Sequence, residues 1–174
     1  GERFHADAEA LLAGFSDPYL ESKLALNLGV GLFHQQAYSA AQAQFERGLA
    51  AARRARHRDY QAEALWHLAR CAQARGELQK ALQSCRDALG LAMRIGYAWL
   101  QAMASNTLSE LAFAAQDTAE AIRAGEQALA VARRMGARRL QSAAHRALAR
   151  LYQAEGRLAA ALEQLWQHQA LEQE

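Results

Sequence analysis

The sequence repeats itself every forty residues. Two sets of positions keep this interval, one of leucines and one of alanines: Leu28, Leu68, Leu108 and Leu148, and Ala41, Ala81, Ala121 and Ala161. A fixed period of this size is typical of solenoids, in which each repeat buries its apolar face only by packing on its neighbours. We therefore expect one repeat domain with a partial repeat at 1–15 and four repeats at 18–60, 61–100, 101–140 and 141–174.

The composition predicts that each repeat is helical. The chain has 174 residues, is 52% hydrophobic and contains one Pro. Ala, Leu, Gln, Arg and Glu dominate it, and these side chains lose little rotamer freedom in a helix. β-branched residues, which favour strands, are sparse. The predicted fold class is all-α, a right-handed α-solenoid of antiparallel helix pairs with about nine helices.

Short breaks divide each repeat into two helices. The predicted first helices span about 18–35, 60–74, 97–115 and 137–154, and the second helices span about 40–54, 78–94, 118–135 and 158–172. Gly76 and Gly156 are suited to the left-handed residue that ends a helix, and Gly96 and Gly136 are expected to stop the second helices. Capping signals stand at Asp17 before Pro18, at Ser39 with Gln42 and at Asp117 with Glu120. Connections this short make neighbouring helices antiparallel.

Small residues recur where the paired helices must approach closely. They follow the repeated leucine in the first helices and recur seven residues after the repeated alanine in the second: Gly29, Ala69, Ser109 and Ala149, and Gly48, Ala88 and Ala128. A larger side chain there would force the helices apart, which explains a Gly that costs about 1 kcal/mol relative to Ala inside a helix. Gly125 lies outside this pattern.

The order of these residues resembles the tetratricopeptide repeat. That family carries an apolar, a small and a bulky residue, Gly at the turn, then Ala, an aromatic residue, Ala and Leu at fixed steps. The first repeat matches with Leu28, Gly29, Leu32, Ala41, Phe45, Gly48 and Leu49, and the resemblance covers residues 18–174. Gln36 and Gln116 replace the turn Gly, and the period exceeds the family's usual one of about 34. This long form is similar to the repeats of bacterial regulatory and signalling proteins.

The resemblance implies a ligand-binding groove, because the first helices of this family line a concave face. Carried onto this sequence, the groove positions are Lys23, Asn27, Phe33, His34, Glu63, Trp66, His67, Arg70, Gln73, Met103, Asn106, Glu110, Phe113, Arg146 and Arg150. Aromatic residues and Met alternate there with charged and amide side chains, as at recognition surfaces. Trp66 is the expected anchor, with Arg70, Arg146 and Arg150 as charge partners. The alternative is that Trp66 and Phe113 only pack between helices.

The family's clamp for a terminal carboxylate is not expected. Lys23 and Asn27 fall in the right part of the groove, but Leu26 and Val30 occupy places where the clamp needs polar residues.

The sequence predicts no catalytic residue, metal site or cofactor, and hence no enzyme. Cys71 and Cys85 lie on different predicted helices, outside any CxxC spacing, and are expected to be core residues. Two cysteines suggest a reducing compartment, and we expect a cytoplasmic protein. No apolar run approaches the ~20 residues of a membrane span. The net charge of +2, and arginine clusters placed at helix ends, argue against nucleic acid.

The last predicted helix carries apolar residues that no following repeat covers: Leu162, Leu165 and Trp166. Terminal repeats require a polar outer face or a cap, so we expect a homodimer through this end or a docked downstream segment. We interpret the chain as a fragment of a longer protein. It is predicted to be a scaffold or sensory module that binds protein or peptide, the regulatory part of a multidomain bacterial signalling or transcription regulator. The alternative is a structural oligomerisation module that associates through the last helix.

Overall fold

The computed structural model describes residues 17–173, which form eight α-helices and no strand. The helices are α1 (Pro18–His34), α2 (Tyr38–Arg54), α3 (Arg58–Ala74), α4 (Leu78–Ile95), α5 (Ala98–Ala114), α6 (Thr118–Arg134), α7 (Arg138–Ala154) and α8 (Leu158–Gln173). The all-α prediction is confirmed. The count within these residues is eight rather than nine, and the further helix predicted over 1–15 lies outside the described residues. The first helices of the later repeats begin near 58, 98 and 138, about three residues before the predicted repeat boundaries.

Every connection between helices contains one residue in the left-handed conformation, and these residues are spaced twenty apart. Their φ angles lie between 54° and 76°, at Gln36, Arg56, Gly76, Gly96, Gln116, Gly136 and Gly156. The backbone N–H of the residue after each one donates a hydrogen bond to the carbonyl five residues earlier, as in Glu77 N to Ala72 O at 2.8 Å. This Schellman geometry satisfies carbonyls that would otherwise be orphaned. The repeat of forty is thus two steps of twenty, each closed by the same turn.

The capping predictions have different outcomes. The side chain of Asp17 accepts a hydrogen bond from Tyr19 N at 2.8 Å, with Pro18 in the first turn, and Asp117 accepts from Glu120 N at 2.8 Å. Both predictions of a cap are confirmed. The predicted cap at Ser39 is wrong, because α2 already begins at Tyr38, and its N-cap residue, Ala37, has no side-chain hydrogen bond to offer.

The described residues form two compact units, 17–91 and 92–173, and the boundary falls inside α4. In unit 1, α2 packs against both α1 and α3, and α1 also contacts α3. In unit 2, α6 packs against both α5 and α7, α7 packs against α8, and α5 also contacts α7. In each unit the leading first helix, α1 or α5, therefore lies beside the second helix of its own repeat and the first helix of the next.

Phe45 occupies the core of unit 1. Its side chain is fully buried and packs among residues of α1, α2 and α3. A Cβ built on Gly29 would lie 2.5 Å from Phe45 Cε1, far inside contact distance. The absence of a side chain at Gly29 is therefore what lets the Phe45 ring lie against α1.

Gly125 has the same role in unit 2, so its apparent lack of a packing partner in the sequence was misleading. A Cβ on Gly125 would lie 2.9 Å from Leu148 Cδ2 and 3.2 Å from Ser109 Oγ. Ser109 in turn donates a hydrogen bond to Ala121 O at 2.7 Å and is buried. Gly125 is the site where α5, α6 and α7 meet, and it occupies the repeat position of Phe45, as Ser109 occupies that of Gly29.

Candidate functional site

A cleft of about 260 Å³ lies between the first helices α5 and α7 of unit 2. Five predicted groove residues line it: Asn106, Glu110, Phe113, Arg146 and Arg150. Those on α5 are spaced by four and three residues and those on α7 by four, so each set lies on one helix face. Small side chains, Ala143 and Ala147, leave the space between the two walls open.

The two arginines of the cleft are exposed and form no ion pair within the described chain. Neither Arg146 nor Arg150 forms an ion pair or hydrogen bond with any other residue between 17 and 173. Glu110 is exposed on the opposite wall and accepts a 3.4 Å hydrogen bond from Asn106 Nδ2. The cleft thus carries two positive charges that its own walls leave unneutralised, and one negative charge.

The α5 wall also carries an exposed aromatic ring and a buried polar atom without a partner among residues 17–173. The Phe113 side chain is 43% exposed, which is unusual for a ring of this size. Asn106 Oδ1 is buried yet has no hydrogen-bond partner within the described residues. An unmet buried acceptor costs about 1–3 kcal/mol, and this atom is closed to solvent, so the cleft does not offer it to a ligand. Met103, also predicted for the groove, is half-buried and does not line this cleft.

In unit 1 the structure brings together Phe33 of α1 with Trp66 and Arg70 of α3. The guanidinium carbon of Arg70 lies 4.4 Å from the Phe33 ring centroid and 5.0 Å from that of Trp66. Such cation–π contacts contribute about 0.5–2 kcal/mol. Trp66 is only 4% exposed, so most of its ring packs inside the unit and offers little surface to a ligand.

His67 belongs to the core of unit 1 rather than to an open surface. Its ring stacks on Phe45, with centroids 4.6 Å apart and planes 5° apart, and Trp66 lies on a tilt beside it. Burial lowers the pKa of His67 to about 3, helped by the nearby Arg70 and His34 charges. The imidazole is therefore neutral, and its Nδ1 has no hydrogen-bond partner among residues 17–173.

The remaining predicted residues of unit 1 are not assembled into one cleft. Lys23 and Asn27 line a shallow depression along α1, together with Leu20 and Leu24. Three others are dispersed: His34 and Gln73 are exposed, and Glu63 is half-buried.

The last helix, α8, carries an exposed apolar face. Four large side chains, Leu158, Leu162, Leu165 and Trp166, are between 40% and 68% exposed. They include the three predicted interface residues, and Leu158 extends the face by one turn. The only buried residue of α8 is Ala161.

Polar contacts hold α8 against α7. Gln164 Oε1 lies 2.8 Å from His145 Nδ1, and Ser142 Oγ lies 2.8 Å from His168 Nδ1. Ser142 also donates to Glu172 Oε1. A hydroxyl has one hydrogen, so His168 Nδ1 must donate to Ser142. Ser142 therefore links His168 and Glu172, whereas a catalytic triad places the histidine between the serine and the carboxylate.

The described residues offer little support for a reactive thiol, a metal site or a membrane-spanning helix. Cys71 and Cys85 are buried free thiols, and burial raises the pKa of Cys71 to about 11, far from a reactive thiolate. Residues 17–173 contain no group of three or more His, Cys, Asp or Glu side chains that could hold a metal ion. No helix in this range combines the length and the apolar character that a bilayer crossing requires.

Comparison with known proteins identifies the fold. No family model and no curated protein sequence matches the chain. Among solved structures, BtubC (BKLC) from P. vanneervenii has a TM-score of 0.88 at 17% identity, over 98% of this chain and 72% of that one. A Rap protein complexed with competence and sporulation factor has a TM-score of 0.84 at 16% identity, over 94% of this chain and 46% of that one.

A third structure carries the repeat in its description. The kinesin light chain TPR-like repeats from Podospora anserina give a TM-score of 0.72 at 19% identity, over 95% of this chain and 83% of that one. At such identities the likeness concerns the fold alone. Together with the paired helices and their shared turn, it shows that this chain has the helical-repeat fold of tetratricopeptide-like proteins.

Proposed function

We propose that this chain is a scaffold that binds a protein segment or peptide on the faces of its first helices, and that the α5–α7 cleft is the principal contact. The observation that carries the proposal is the combination in one cleft of an exposed aromatic ring and two exposed arginines that form no ion pair with a described residue. Recognition surfaces share this composition of aromatic anchors and Arg. Catalysis has no part in the proposal.

The likeness to a Rap protein in complex with competence and sporulation factor supports this proposal, since that relative of similar fold holds a bound factor. We further propose that the chain is the sensory or regulatory part of a multidomain bacterial signalling or transcription regulator in the cytoplasm. The resemblance of its long repeats to those of bacterial regulators supports this setting, and the two free, buried thiols fit a reducing compartment.

Selection from a displayed library of random peptides tests the proposal. Enriched peptides should bind the wild-type chain, and the double variant Phe113→Ala/Arg150→Ala should lose most of that binding. The matched control is Arg123→Ala/Arg134→Ala, two exposed arginines of α6 that do not line the cleft. Enriched peptides that bind both variants equally would remove the cleft from the proposal.

A second candidate function, self-association through α8, is supported by the four exposed apolar side chains on that helix. Large apolar surfaces of this kind mark interaction sites. If α8 forms a homodimer, light scattering over a range of concentrations should show a dimer that Leu165→Asp/Trp166→Asp converts to monomer. Met135→Asp is the control, because Met135 is an exposed apolar residue of the same unit outside α8. A wild-type chain that stays monomeric at all concentrations would exclude this function.

A further inference from the structure

We infer that the α5–α7 cleft selects an extended peptide segment with the internal pattern acidic–apolar–acidic. This inference rests on the proposed function and specifies its ligand. The two acidic side chains would pair with Arg146 and Arg150, and the apolar side chain between them would contact Phe113. The chain termini of the ligand would take no part.

The spacing of the arginines on α7 determines the spacing of the acids. Arg146 and Arg150 are four residues apart on one helix, which corresponds to about 6 Å along the helix axis. In an extended peptide, residues i and i+2 lie about 6.7 Å apart and point to the same side. Acidic side chains at alternate positions therefore meet the two guanidinium groups in register. Arginine can bind a carboxylate through two parallel hydrogen bonds.

The opposite wall determines the residue between the acids. In an extended segment the side chain at i+1 points away from those at i and i+2, and hence toward α5. There it meets the Phe113 ring, which is 43% exposed. An aliphatic or aromatic side chain would bury part of that surface, at about 25 cal/mol per Å² of apolar area.

The charge on the α5 wall also affects the choice of the middle residue. Glu110 lies on that wall and accepts a hydrogen bond from Asn106 Nδ2. Glu110 adds one negative charge to the α5 wall, which disfavours an acidic residue at the middle position. The arrangement thus favours the same order of side chains from both walls.

The size of the cleft is consistent with a short peptide stretch. Its volume of about 260 Å³ falls slightly below the ~300–1,000 Å³ of small-molecule pockets. Arg146 and Arg150 both lie on the α7 wall and do not surround one end of the cleft. A segment that passes through the cleft fits this shape, and the inference therefore concerns internal side chains rather than a terminal carboxylate.

Fluorescence anisotropy with a defined probe tests the inference. The probe is fluorescein-Gly-Gly-Glu-Leu-Glu-Gly with an amidated C-terminus, titrated with the full chain at low ionic strength. Replacing Glu-Leu-Glu by Gln-Leu-Gln should weaken binding about tenfold or more, since each charge-assisted pair is among the stronger polar contacts. Glu-Ser-Glu and the respaced Glu-Leu-Leu-Glu should also bind more weakly than the probe.

Charge reversal provides the decisive variant. Arg146→Glu/Arg150→Glu should reject the Glu-Leu-Glu probe and prefer the matching Lys-Leu-Lys peptide. Both arginines are exposed, so the fold should be kept, and circular dichroism checks this. The control Arg123→Glu/Arg134→Glu makes the same change in net charge outside the cleft and should keep the original preference. An equal shift in the control would mean that only overall charge matters and would overturn the inference.

Failure of the inference differs from failure of the proposed function. If library peptides bind in a Phe113-dependent manner but lack the acidic–apolar–acidic pattern, the ligand class is wrong and the scaffold function stands. If the library yields no binder and the probe does not bind, both are wrong. If Glu-Leu-Glu and Gln-Leu-Gln bind equally well, the arginines do not select acids and the inference falls.

Discussion

At the scale of single residues, the glycines of the helix interiors differ in how closely they are packed. Gly29 faces the Phe45 ring so closely that an added Cβ would lie within 3 Å of three ring atoms. At Gly48 the nearest atoms are those of the flexible Leu26 side chain, at 3.3 Å. Of these two positions, only Gly29 leaves no room for a methyl group.

This contrast predicts opposite effects of the same substitution. Gly29→Ala should lower the free energy of unfolding by about 1–3 kcal/mol, because overpacking displaces the Phe45 ring. Gly48→Ala is the matched control and should be neutral or stabilising, since Ala is favoured over Gly in a helix by about 1 kcal/mol. Urea unfolding followed by circular dichroism measures both. Equal destabilisation of the two variants would show that contact with Phe45 is not the cause.

His67 makes stability depend on pH in a defined direction. Its pKa is about 3 in the folded chain and about 6.5 when unfolded, so between these values the unfolded state binds more protons. The contribution of His67 to the free energy of unfolding is fully present above pH 6.5 and is lost as the pH falls toward 3. At pH 5 the loss is about 2 kcal/mol, at about 1.4 kcal/mol per pH unit.

His67→Phe removes this proton while keeping a flat ring to stack on Phe45. The free energy of unfolding of the variant should fall less steeply between pH 6.5 and 4.5 than that of the wild type. Burial also lowers the pKa of His145, which therefore accounts for part of the remaining slope. Denaturant unfolding at several pH values measures the difference. Identical slopes in the two proteins would mean that His67 is not the group that takes up the proton.

Much of the packing was predictable at this scale, and the reason is periodicity. Positions such as Leu148 and Ala121 repeat because each repeat solves the same packing problem. The close contact at Gly125 and the bridging role of Ser142 were not predicted, because the repeat indicates which positions meet but not which interaction the side chains there form. Trp66 illustrates the same limit, since its residue type suits both a core and a recognition surface, and only its exposure distinguishes them.

At the scale of helices, α8 is unusual because a polar network replaces the apolar seam of the earlier pairs. Ser142, 4% exposed, lies at the centre of this network, between His168 and Glu172 near the end of α8. The forty-residue comparison explains the difference. Gln169 stands where Leu49, Leu89 and Leu129 are buried in the earlier repeats, and Glu172 stands where Ala52, Ala92 and Ala132 are buried.

This arrangement predicts that the end of α8 depends on one hydroxyl. Ser142→Ala removes the hydrogen bonds to the half-buried His168 and the exposed Glu172, a loss of about 0.5–1.5 kcal/mol for each bond. Amide hydrogen exchange should accelerate in the last two turns of α8, while α5 and α6 keep their protection. Ser142→Thr keeps the hydroxyl and serves as the control. Unchanged exchange in Ser142→Ala would show that contacts around Ala161 alone hold the helix.

Helix number and order within residues 17–173 followed from the sequence, but the turn geometry followed only in part. Gly76 and Gly156 indicate a left-handed residue in the sequence. Gln36, Arg56 and Gln116 adopt the same conformation although they are not glycine. For these three, the backbone bonds of the turn outweigh the steric cost of a Cβ. The site was predictable to the extent that helix faces were, and the cleft between α5 and α7 required the spacing of two helices that sequence does not supply.

At the scale of the whole molecule, the packing divides the chain into two compact units. This organisation predicts which helices a destabilising substitution affects. In repeat proteins stability is approximately a sum of local terms and nearest-neighbour interfaces. Gly29→Ala perturbs the contacts among α1, α2 and α3, and Gly125→Ala perturbs those among α5, α6 and α7. Neither position lies near the boundary at Leu91.

Native-state hydrogen exchange should therefore be faster in different helices of the two variants. Gly29→Ala should speed exchange mainly in α1–α3 and Gly125→Ala mainly in α5–α8, because sub-global openings follow cooperative units of structure. Gly48→Ala serves as the control for a glycine change that the packing tolerates. If either variant instead accelerates exchange equally in every helix, then the two units unfold as one cooperative block. In that case a ligand at the α5–α7 cleft would stabilise residues of unit 1 as strongly as those of unit 2, and peptide binding could be read out anywhere along the chain.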